Sequence, residues 1–149
     1  MRLCLRGARF TFYNRCVPPA PTISGGRVVL VVEDDPATRA LYRAVLHDEG
    51  GYAVVAVEDG LDALRYLDTH TPAVVVLDLG LPRLHGRDVL GEMAARGFTE
   101  DVPVVVVTGQ TPAGLNEREF AYVLRKPITA DGLLAAVQKC LASKPPARS

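Results

Sequence analysis

Five polar side chains whose types suit phosphoryl chemistry follow directly on short apolar runs. Glu33 and Asp34 come after Val28-Val29-Leu30-Val31-Val32, Asp78 after Val74-Val75-Val76-Leu77, Thr108 after Val104-Val105-Val106-Val107, and Lys126 after Tyr122-Val123-Leu124-Arg125. Runs rich in β-branched residues and without alternation read as strands buried on both faces. In an open parallel sheet the carboxyl ends of such strands face one crevice, where ligands bind. The four segments therefore predict one acidic site with a single cation opposite. Hard cations such as Mg²⁺ take oxygen ligands and keep several waters. Glu33 and Asp34 can supply one direct and one water-mediated ligand, and Asp78 a further oxygen. Asp78 is also a candidate nucleophile, because a carboxylate can accept a phosphoryl group as an acyl phosphate. Lys126 and the Thr108 hydroxyl are placed to neutralise and hold phosphoryl oxygens.

The elements between these strands must carry them to one edge. Pro36 to Leu46 reads as a helix with proline at its start and an apolar stripe including Leu41 and Val45, ended by Gly50-Gly51. Tyr52 to Val57 reads as a strand, and Leu61 to Leu67 as a helix with Leu61, Leu64 and Leu67 on one face. Val89 to Arg96 gives a third helix closed by Gly97, and a last helix behind Thr129 presents Leu133, Leu134, Val137 and Leu141. Alternating strands and helices imply a parallel sheet wrapped on both faces with right-handed crossovers.

With 149 residues there is room for one domain with a sizeable core. Residues 1–26 read as a disordered extension, with the linker composition Val17-Pro18-Pro19-Ala20-Pro21 and Ser24-Gly25-Gly26. Residues 27–142 read as the domain, and 143–149, with Pro145-Pro146, as a tail. The formal charge is zero, but Arg2, Arg6, Arg9 and Arg15 lie in the extension, leaving 13 of the 17 basic residues against 17 acids. An acidic body argues against direct nucleic-acid binding. Cys4, Cys16 and Cys140 show neither metal-ligand spacing nor a disulfide framework, which fits a cytoplasmic location, and Cys140 reads as a buried helical thiol. No stretch is long enough for membrane insertion. His47, His70 and His85 form no site; the first two sit near helix C-termini and are expected at the surface. Arg83, in the loop beyond Asp78, is placed as a charge near an incoming donor.

Val31-Val32-Glu33-Asp34-Asp35-Pro36, Val76-Leu77-Asp78-Leu79-Gly80-Leu81-Pro82 with Gly86, Val107-Thr108-Gly109 and Lys126-Pro127 together resemble the receiver domain of two-component response regulators. The resemblance covers residues 27 to 142. It implies a flavodoxin-like (βα)5 fold, doubly wound, with strand order 2-1-3-4-5. It implies that Asp78 is phosphorylated by a histidine kinase or histidine phosphotransfer protein, in a chain that is no enzyme beyond its own phosphorylation and dephosphorylation. Glu33, Asp34, Asp78 and the backbone carbonyl of Gly80 would hold Mg²⁺, Thr108 would be the switch hydroxyl and Lys126 the phosphoryl contact. The Lys126-Pro127 bond is often cis in such domains. Output would pass to a downstream protein, by binding or onward transfer, from a stand-alone receiver.

Three departures bear on output. Glu33 stands where Asp is usual. The aromatic of the switch usually lies three residues before the lysine; Val123 holds that place, and Tyr122 should face the other side of the strand. The segment from Thr108 to Lys126 is shorter than usual by about one helical turn, ~4 residues, so the fourth helix should be short or irregular. Two other readings compete. A Mg²⁺-dependent aspartyl phosphatase would want a second Asp two residues after the nucleophile, where Gly80 stands. A degenerate receiver would act only as an interaction module.

Overall fold

The computed structural model describes residues 27–111 and 114–143. The expectations placed on residues 1–26, including Cys4 and Cys16, and on the tail from 144 lie outside them, as does Pro112, a poor helix former in the short segment between Thr108 and Lys126. Five strands, β1 Val28–Val32, β2 Ala53–Val57, β3 Val74–Asp78, β4 Val104–Thr108 and β5 Tyr122–Arg125, form one sheet. All pairings are parallel, in the order β2-β1-β3-β4-β5.

A strand sends successive side chains to opposite faces, and the valine runs fill both. Leu30, Val32, Val75, Leu77, Val104 and Val106 pack with Ala63, Tyr66 and Leu67 of helix α2 (Gly60–Thr69) and Val89, Leu90 and Met93 of α3 (Gly86–Ala95). Val29, Val31, Val74, Val76, Val105 and Val107 pack with Tyr42 of α1 (Pro36–Ala44), with Val45 and Leu46, and with Leu133, Val137 and Cys140 of the C-terminal helix, Ala130–Ser143. The sheet is thus doubly wound, as expected. Burial pushes the Cys140 thiol up to about 11, which fits an inert core residue.

Local signals account for most helix starts. The Asp35 carboxylate accepts from the Thr38 amide at 2.8 Å with Pro36 in the first turn, Asp59 accepts from the Asp62 amide at 2.9 Å, and Thr129 Oγ1 from the Gly132 amide at 3.0 Å. The first helix does not stop at Leu46 but runs on through a π-helical turn, Val45–Glu49, before Gly50. Leu41, expected in its apolar stripe, is 57% exposed, and Leu61 45% exposed. Tyr42, one residue on from Leu41, takes the buried position in α1, and in α2 Ala63, Tyr66 and Leu67 face the core. A four-residue helix α4, Phe98–Asp101, follows Gly97, whose φ of +79° is the left-handed conformation glycine adopts without steric cost. The C-terminal helix is therefore α5.

Strand β5 departs from the reading of burial on both faces. It is one of the two edge strands, with Tyr122 and Arg125 exposed and Val123 and Leu124 half-buried. Among the described residues between β4 and β5 there are turns and no helix, in line with the short segment. Leu115 and Phe120 of that segment pack partly against the core on the α2–α3 face. His47 is exposed, with Nδ1 3.0 Å from the Tyr52 carbonyl. His70, expected at the surface, is half-buried because its ring stacks on Tyr66, centroids 4.4 Å apart. Among the described residues no helix is long and apolar enough to cross a membrane.

Candidate phosphoacceptor site

Ladder hydrogen bonds run one residue beyond the strands and fix the site backbone. The Glu33 amide donates to the Val57 carbonyl at 3.1 Å, the Leu79 amide to Val107 at 3.0 Å, and the Lys126 amide to Thr108 at 2.8 Å. The side chains at or just beyond the ends of β1, β3 and β5 therefore emerge at the same carboxyl edge. Oxygens of Glu33, Asp34 and Asp78 all lie within 4.8 Å of one another. Glu33 and Asp78 are buried and Asp34 is exposed.

Lys126 crosses from the far side. Its Nζ donates to Asp78 Oδ2 at 3.0 Å and stands 3.7 Å from Glu33 Oε2. Burial alone would lower the ammonium's pKa, but the bond to Asp78 and the charges of Asp78 and Glu33 outweigh it and the net shift is upward. Asp78 Oδ1 accepts from the Gly80 amide at 2.8 Å. The Asp78 carboxylate is thus gripped at both oxygens. Lys126-Pro127 is cis, as the resemblance implied.

Glu33 is the anomaly of the cluster. Its Oε1 accepts from the Asp35 amide at 3.1 Å, while Oε2 is buried without a hydrogen-bond partner. Burial pushes this carboxyl up from its ordinary 4.5 to about 7; the Asp78 charge adds to the push, and the Asp35 amide and Lys126 offset part of it. A buried carboxylate oxygen without a hydrogen bond, facing two other carboxylates, is what a hard cation would satisfy. The donor set fits Mg²⁺.

Thr108 is buried at the end of β4, and its hydroxyl is held by its own loop. It donates to the Gln110 carbonyl at 3.2 Å and accepts from the Gln110 amide at 3.0 Å. Pairing of Val105 with Tyr122 and Val106 with Val123 puts Val123 on the Val106 and Thr108 face of the sheet, and Tyr122 on the other. No bulge re-registers the strand. The position beside Thr108 that an aromatic would fill holds a valine.

The family model for the response regulator receiver domain matches residues 29–138. The chain belongs to that family. The response regulator MprA of Mycobacterium tuberculosis is 36% identical over 118 residues, covering 76% of this chain and 50% of that protein. The receiver thus spans about half the length of the curated relatives it matches. The response regulator TrrA of Thermotoga maritima, solved in complex with Mg(2+)-BeF, shares 27% identity with a TM-score of 0.70, over 77% of this chain and 99% of that one. The receiver domain of the sensor histidine kinase PA1611 of Pseudomonas aeruginosa, with a magnesium ion coordinated in its active-site cleft, shares 28% identity at TM-score 0.70 over 79% and 99%. The receiver fold and strand order expected from the sequence are those found. The phosphatase and interaction-module readings are not favoured.

Two residues near the site were not singled out by sequence. Arg39 donates to the carbonyls of Glu33 at 2.8 Å and Asp34 at 3.3 Å. Tyr42, one turn on, is buried, and burial with the Glu33 charge raises its phenol to about 12. A basic residue and an aromatic at helical spacing behind an acidic pair was the available signal. Arg83 turns to Asp59 at 3.6 Å, from a left-handed backbone with φ 62°, and its side chain stays 73% exposed.

Proposed function

We propose that this receiver accepts a phosphoryl group on the Asp78 carboxylate, from a phosphohistidine of a sensor histidine kinase or a histidine phosphotransfer protein, in the cytoplasm. The observation that carries the reading is the Lys126 ammonium on Asp78 Oδ2 beside a buried carboxylate oxygen of Glu33 that has no hydrogen bond. In the transfer, the donor's phosphorus–nitrogen bond breaks and a phosphorus–oxygen bond to Asp78 forms, leaving an acyl phosphate and a neutral imidazole. Glu33, Asp34 and Asp78, with the Gly80 carbonyl, would hold Mg²⁺, which when bound supplies positive charge to the phosphoryl oxygens. The Gly80 amide fixes one carboxylate oxygen, so that the Asp78 side chain is oriented before the donor arrives. Lys126 has to exchange its bond to the carboxylate for one to a phosphoryl oxygen. Thr108 can turn its hydroxyl to another phosphoryl oxygen only by giving up Gln110. Gly80 and Gly109 are exposed, which leaves water a path for hydrolysis. The domain would run from residue 27 to 142, with 1–26 as an extension and 143–149 as a tail.

Incubation with Mg²⁺ and acetyl phosphate, read by intact mass, tests this. Wild type should gain one phosphoryl group and Asp78→Asn none, with the two circular dichroism spectra superimposable. Turnover of many donors per protein would favour a phosphatase, and an unmodified wild type would sink the reading. Lys126→Met should still bind Mg²⁺ in titration calorimetry, since the carboxylate ligands remain. Phosphorylation should be slower in it by about 10²-fold, the scale of losing one transition-state charge contact.

A further inference from the structure

We infer that Arg39 is a positioning residue for the cation site: it locks the turn carrying Glu33 and Asp34 from behind, leaving their carboxylates free to ligate. The inference rests on the reading of the site as a Mg²⁺ centre and assigns a role to a residue outside the carboxylate, hydroxyl and lysine set.

The turn between β1 and α1 must hold two carboxylates close to each other and to Asp78, against their mutual repulsion. Each positive group that bonds those carboxylates directly competes with a metal. Lys126 does so, sitting on the Asp78 oxygen and near that of Glu33. Arg39 does not. Its Nη1 reaches main-chain carbonyl oxygens, those of Glu33 at 2.8 Å and Asp34 at 3.3 Å, and its Nη2 lies 4.0 Å from Glu58 Oε2. One guanidinium thereby joins the ends of β1 and β2 while bringing positive charge beneath the acidic cluster. Its side chain is only 22% exposed, so this charge is poorly screened by water. A planar fork of five donors serves two carbonyls and a carboxylate at once; a lysine ammonium, as a point charge on a flexible stem, cannot hold the same geometry. Groups behind the ligands that fix their orientation commonly contribute as much to metal affinity as some ligands do.

The test is Mg²⁺ binding by titration calorimetry, with thermal melting in chelator as a second readout. The variants are Arg39→Met, Arg39→Lys and the exposed control on the same helix, Arg43→Met. Arg39→Met should weaken Mg²⁺ binding by about tenfold, on the scale of losing such a support, and Arg39→Lys by an intermediate factor. Arg43→Met, which removes the same charge at a distance, should bind like wild type. In the acetyl phosphate reaction the half-saturating Mg²⁺ concentration should rise by the same factor, with a smaller change in the rate at saturation. A residue that merely stabilises α1 would lower the melting temperature and leave the Mg²⁺ isotherm where it was. That result overturns the inference, as does Arg39→Lys binding indistinguishably from wild type, which settles the matter should Arg39→Met fail to fold. Wild type that binds Mg²⁺ but takes no phosphoryl group would sink the phosphoacceptor reading and leave this one standing. Wild type that binds no Mg²⁺ would overturn both.

Discussion

In chelator, the wild-type receiver should lose stability as pH rises from about 4.5 to 7, and Glu33→Gln should abolish that slope. The folded-state carboxyl of Glu33 titrates at about 7 rather than its ordinary 4.5, so across this window the folded chain holds a proton the unfolded chain has released. Stability is therefore full below the lower value, falls through the window and is level above it. At about 1.4 kcal/mol per pKa unit, the full shift corresponds to roughly 3 kcal/mol, an upper figure for a group that shares its charge with Lys126 and Asp78. Glutamine keeps an oxygen for the Asp35 amide and removes the charge at Oε2. It should match wild type at pH 4.5 and exceed it by about 2 kcal/mol at pH 7.5. Urea unfolding at both pH values measures this. Saturating Mg²⁺ should flatten the wild-type slope by binding the deprotonated form. Equal pH slopes for the two proteins in chelator would show that the Glu33 carboxylate is not strained. Asp78→Asn should gain less, because Lys126 and the Gly80 amide already satisfy both oxygens of that carboxylate.

The same contrast between satisfied and unsatisfied groups explains what was legible in the sequence. Strands β1, β3 and β4 are legible because burial on both faces demands uninterrupted valine and leucine, and the polar residue ending each run then stands out. That placed Glu33, Asp34, Asp78 and Thr108 at one edge, and Lys126 joined them although 48 positions separate it from Asp78. Strand β5 was legible in position but not in burial. An edge strand with solvent on one side can carry Tyr122 and Arg125, and composition alone does not distinguish it from a central one. Leu41 looked like a core residue because helical spacing defines a stripe only to within a residue or so, and Tyr42 beside it took the inward position; in α2 the inward face runs through Ala63, Tyr66 and Leu67, which leaves Leu61 outside. Arg39 escaped notice for a different reason. Its partners Glu33 and Asp34 offer it main-chain carbonyls, which every residue has, so no pairing of side-chain types announces the contact. The Gly80 amide on Asp78 is hidden in the same way.

Gly86→Ala should be the most damaging single-methyl change in the domain, and it should act on the site through the backbone. Gly86 opens α3, and its φ is not in the left-handed region. Space, not backbone conformation, excludes a side chain. A Cβ there would lie 2.3 Å from the Asp78 carbonyl oxygen, 2.6 Å from the Leu79 Cα and 3.0 Å from the Asp78 carbonyl carbon. None of these atoms can rotate aside. Either α3 must back away from the sheet or the end of β3 must shift, and Asp78 moves with it, loosening its bonds to the Gly80 amide and Lys126. Overpacking against rigid backbone falls at the upper end of the usual range, about 3 kcal/mol, which for a domain of this size is a drop of roughly 10 °C in Tm. Gly91→Ala, in the same helix, provides the opposite case. Nothing lies within 4 Å of its Cβ position, and alanine inside a helix should stabilise by about 0.5–1 kcal/mol. Thermal melts of the pair should move in opposite directions, with phosphorylation by acetyl phosphate slowed only in Gly86→Ala. Gly86→Ala melting with wild type would mean that α3 does not press on the backbone of Asp78, and the rigidity assigned to that side chain would have to come from Lys126 and Gly80 alone.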